Sequence, residues 1–67
     1  MTITEQKLIE YFKLKIKEHI EYNDVQKILL IESYQELFGV KMNINCENQL
    51  IFAYLELYKY INTKYEI

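Results

Sequence analysis

KILLIESYQELFG, residues 27 to 39, is the stretch on which the reading of this chain turns. It has the composition of a helix, with good helix formers, no proline and a glycine where it stops. At about 100° per residue its apolar side chains do not keep to one side. Leu30, Ile31, Tyr34, Leu37 and Phe38 form one stripe, while Ile28 and Leu29, with Val25 just upstream, fall nearly opposite. A helix with two apolar sides must be covered twice. Either it sits centrally between two neighbours in its own chain, or another protein surface covers its second side.

The flanking residues set the limits of this helix. Asn23 and Asp24 place side-chain oxygens where free amide groups begin a helix. Gly39 ends it, because glycine enters the left-handed conformation without steric penalty. The sequence therefore predicts a helix over 24–38. Upstream, Thr2-Ile3-Thr4-Glu5 offers two starts: Thr2 with Glu5 makes a capping box, and Thr4 as cap would staple Ile3 to Leu8. From there a first helix over 4–22 is expected. Tyr11, Tyr22, Leu8, Phe12, Ile16, Ile9 and Ile20 fill one half of its circumference; Glu10, Lys13, Lys17, Glu18 and Glu21 fill the other. Leu14 sits on the wrong side, and Lys15 intrudes on the apolar one.

Downstream, Asn45 and Glu47 favour a third helix over 45–62. Cys46, Leu50, Ala53, Tyr54, Leu57 and Ile61 make its inner stripe, broadened by Ile51 and Tyr58, whereas Phe52 and Leu55 point away. Two five-residue segments, VKMNI at 40–44 and TKYEI at 63–67, alternate apolar and polar residues, the mark of a half-buried strand. Irregular or short extended structure is expected there. The expected fold class is thus all-α, a three-helix bundle in one domain over 1–67.

A chain of 67 residues buries about 60% of the surface its unfolded form exposes. Small domains offset that deficit with disulfides, a metal or association. Cys46 is the sole cysteine, so no disulfide forms within the chain. A bundle needs one apolar stripe per helix. This chain has three stripes and, beyond them, Val25, Ile28, Leu29, Phe52 and Leu55. Each large apolar side chain left in water forgoes about 1.5–3 kcal/mol of burial, a large sum beside a total stability of roughly 5 kcal/mol. A protein interface formed by Val25, Ile28, Leu29, Phe52, Leu55 and Tyr58 is therefore expected. A second copy of the same chain is the simplest occupant.

Candidate chemistry is sparse. His19 lies on the first helix's apolar face with no partner motif around it, and the pattern reads as a packed ring. Cys46 paired with His19 would lack an orienting group and an oxyanion site. One His and one Cys, without HExxH or ExxH, do not make a metal site. A single glycine excludes phosphate-binding loops. No catalytic, cofactor-binding or metal residues are assigned, and no enzymatic activity is expected. The fragment SYQELF, Ser33 to Phe38, resembles the SQELD motif of the small aspartyl-phosphate phosphatases of sporulating bacteria, which are two-helix hairpins. Tyr34 interrupts the match and Phe38 stands where the functional Asp belongs, so no role is carried over.

A DNA-binding regulator is the alternative from a different class, with the second helix, the joint and the third helix as a helix-turn-helix. Against it stand a net charge of −2, the absence of arginine and lysines scattered around the first helix. A dimer would concentrate those lysines, which keeps nucleic acid in view. There is no signal-like N-terminus, and the longest apolar run, LIFAYL at 50–55, cannot span a bilayer. A cytoplasmic location is expected. Heavy use of Ile, Lys, Tyr and Asn is the habit of an AT-rich genome, such as those of many phages and mobile elements. The sequence thus points to a non-enzymatic, homodimeric regulator or inhibitor that binds a host or regulatory protein.

Overall fold

A computed structural model describes residues 1–18 and 23–66, with side chains except at 15–18. It consists of α1 (Ile3–Glu18), α2 (Asp24–Phe38) and α3 (Glu47–Tyr65). All three helices pack against one another, α2 and α3 most extensively, and the expected all-α three-helix bundle is the fold. No strand is present among the described residues.

The helix ends obey local chemistry. At the start of α1, the Thr2 amide donates to Glu5 Oε1 at 3.0 Å and the Glu5 amide donates to Thr2 Oγ1 at 3.1 Å. This reciprocal pair satisfies two donors that lack an intrahelical partner. A second capping box opens α2: the Gln26 amide donates to Asn23 Oδ1 at 2.9 Å, and the Asn23 amide to Gln26 Oε1 at 3.2 Å. Gly39 closes α2 at φ 71°, its amide donating to the Gln35 carbonyl at 2.9 Å. The expected boundaries of α2 coincide with those observed. The expected extension of the first helix through 19–22, including His19, Ile20 and Tyr22, lies outside the described residues.

Of the two alternating segments, the first has the irregular structure expected and the second is corrected. Residues 40–44 form no strand. Instead the segment is pinned by its asparagines: the Asn45 amide donates to Asn43 Oδ1 at 2.9 Å, the Cys46 amide to the Asn43 carbonyl at 3.0 Å, and the Asn43 amide to Gln49 Oε1 at 2.6 Å. Such local bonds compete with strand pairing. The other candidate strand is absent because α3 continues through residues 63–65, three residues past the expected end. It stops at Glu66, in the left-handed conformation at φ 53°, whose amide donates to the Asn62 carbonyl at 2.8 Å. With 63–65 helical, the segment 40–44 has no strand to pair with.

The core consists of Leu8, Tyr11 and Phe12 from α1, Leu30 and Tyr34 from α2, and Ala53, Leu57 and Ile61 from α3. Phe12, Leu8, Leu30, Leu57 and Ile61 are its fully enclosed large side chains. Phe12 lies within 5.3 Å, centroid to centroid, of Tyr11, Tyr54 and Tyr58; the last two meet it edge to face. Edge-to-face contact suits the ring quadrupoles. Tyr11, from the apolar half of the first helix, is buried. Phe38, from the same stripe of α2 as the buried Leu30 and Tyr34, is 39% exposed. It lies in the last turn of α2 and is covered from one side only, by Tyr34 and Tyr60. Ile51, expected to broaden the inner stripe of α3, is also exposed, because the inner face narrows to Leu50, Ala53, Leu57 and Ile61.

Candidate interaction surface

The six residues expected to form an interface divide into two groups. Val25 is 75% exposed and Ile28 45% on α2; Phe52 is 49% exposed and Leu55 58% on α3. These four project outward. Leu29 and Tyr58 do not: both are partly buried against the core. Leu29 lies about 100° around the helix from Ile28, toward the packed side. Tyr58 is drawn in by stacking on Tyr54, with centroids 6.4 Å apart and planes 10° from parallel, and by its contact with Phe12. The alternative in which α2 is central and covered on both sides is corrected. Val25 and Ile28 keep the second side open, and α3 is the helix that packs substantially on both others.

On α3, Ile51, Phe52 and Leu55 are exposed at spacings that bring them onto one outer face. Phe52 is anchored at its inner edge by Tyr34, centroid distance 6.2 Å. Around the connection between α2 and α3 the apolar surface continues as two open hollows. One, of about 540 Å³, is lined mainly by Ile28, Ile31, Met42 and Ile44, with Glu32, Lys41, Asn43 and Gln49. The other, of about 430 Å³, is lined in roughly equal measure by apolar Ile44, Leu50 and Ile51 and polar Lys27, Asn45 and Glu47. The first opens widely to solvent and the second is about half enclosed, and neither is a closed small-molecule pocket.

The most developed polar arrangement joins the two ends of the chain. Glu5, on the first turn of α1, is 2% exposed. Its Oε2 accepts from Tyr60 Oη at 3.1 Å and from Lys64 Nζ at 2.9 Å, both on α3, while Oε1 accepts from the Thr2 amide. Lys64 Nζ also lies 5.5 Å from the ring centroids of both Tyr60 and Tyr65. The hydrogen bond from the Thr2 backbone, then that from Lys64, hold the Glu5 carboxyl far below the usual carboxylate range despite its burial. In return Glu5, then Tyr60, hold the Lys64 ammonium above the usual lysine range. Burial, then the Glu5 carboxylate, push the Tyr65 hydroxyl up. Glu5 and Lys64 are thereby fixed in their charged forms. Proton transfer near neutrality needs the opposite, a group tuned toward the working pH. The cluster's evident work is to fasten the last turns of α3 to α1.

Sequence reasoning found Glu5 as a capping residue and missed its burial. The signal was absent, because its other partners lie 55 and 59 residues away. Ser33, also buried, was missed for a similar reason: a hydroxyl on the packed face of α2 breaks the apolar pattern. Cys46 is half-buried and precedes α3 without capping it through its side chain. His19 lies outside the described residues. Among the described residues no group of three or more His, Cys, Asp or Glu side chains is placed to hold a metal. No described helix is long and apolar enough to cross a membrane. No family model, curated protein or solved structure matches the chain.

Proposed function

We propose that this chain is a non-enzymatic protein-binding module, a small regulator or inhibitor that self-associates and occupies the surface of a partner protein. The observation that supports the reading is the outward projection of Val25, Ile28, Phe52 and Leu55, joined by Ile51, on a domain with a small core. Contiguous apolar surface on so small a protein is costly unless a partner covers it. Phe52 suits a contact residue in particular, since it is fixed by Tyr34 at one edge and open at the other. A rigid aromatic loses little side-chain freedom on binding. A host-directed role, encoded by a phage or other mobile element, agrees with the composition and extends the proposal by analogy of class.

The test is affinity capture with the wild type and with Phe52→Glu, followed by binding measurements on purified components. Phe52→Glu should retain the helical circular dichroism of the wild type, because its side chain lies outside the core, and should lose the captured protein. Capture equal for the two would refute a role for the outer face of α3. Titration of duplex DNA in the same buffer separates the alternative class: DNA binding would weaken steeply with added salt and with Lys→Gln substitutions.

A further inference from the structure

We draw no further inference here: the strongest candidate, the exposed apolar patch of Ile51, Phe52 and Leu55 on the outer face of α3, carries nothing beyond the reading above, because nothing in the structure shows what covers it.

Discussion

Replacing Phe12 tests whether the aromatic cluster holds the bundle together. Phe12 is fully enclosed and meets Tyr11, Tyr54 and Tyr58 at 5.3 Å each, with interplanar angles of 83° to Tyr54 and 88° to Tyr58. Truncation to alanine removes the buried ring and leaves a void, at a cost of about 3–5 kcal/mol. A domain of 67 residues at about 0.05–0.15 kcal/mol per residue has about 3–10 kcal/mol in total. Phe12→Ala should therefore leave much of the population unfolded at room temperature. Phe12→Leu is the more informative change, since it keeps most of the apolar volume and discards the ring. Two edge-to-face contacts at about 0.5–1.5 kcal/mol each predict a loss of about 1–3 kcal/mol. Urea denaturation followed by circular dichroism measures it, through the change in midpoint at constant slope. A double-mutant cycle with Tyr58→Leu should return a coupling of about 0.5–1.5 kcal/mol. A coupling of zero, with Phe12→Leu costing less than about 0.5 kcal/mol, would refute the claim that ring geometry contributes beyond burial.

Two further predictions concern the chain's ends and stops. Glu5 has its folded-state pKa depressed, so its contribution is fully present above the ordinary value near 4.5 and is lost as pH falls through the folded value, in the strongly acidic range. Thermal melts from pH 7 to pH 2 should show stability falling from about pH 4.5 downward, with Glu5→Gln less stable at neutrality and less sensitive to acid below that point. Equal acid sensitivity in the two proteins would remove Glu5 as the clamp between α1 and α3. Gly39→Ala should cost about 1–2 kcal/mol from the left-handed backbone alone. An added Cβ there meets nothing within 4 Å, so no steric term enters. A Gly39→Ala variant as stable as the wild type in urea would mean that α2 can end in another way.

The parts of this fold legible in the sequence are those decided within a few residues of chain. The capping boxes at Thr2–Glu5 and Asn23–Gln26 and the stop at Gly39 each involve groups within four positions of one another. The inner stripes of α1 and α3 were equally legible, because a 3.6-residue period places Leu8 with Phe12, and Leu50 with Ala53, Leu57 and Ile61, on one face. The outward residues Val25, Ile28, Phe52 and Leu55 followed by exclusion from those stripes. Periodicity assigns a face but not how far a neighbour reaches around it, and the errors at Leu29, Phe38, Ile51 and Tyr58 all sit at stripe margins. Glu5 is the sharper case. A carboxylate in the first turn of a helix reads as a solvated cap, and only the arrival of Tyr60 and Lys64 from the far end of the chain makes it buried and charged. The same contacts accompany α3 through 63–65, where alternation had suggested a strand. Sequence by itself determined three helices, where the middle one begins and ends, and an excess of apolar surface. Tertiary structure alone decided which marginal residues are covered and that the two ends are clamped, because those outcomes depend on packing between different helices, 22 positions apart for Phe38 with Tyr60, 46 for Phe12 with Tyr58 and 59 for Glu5 with Lys64.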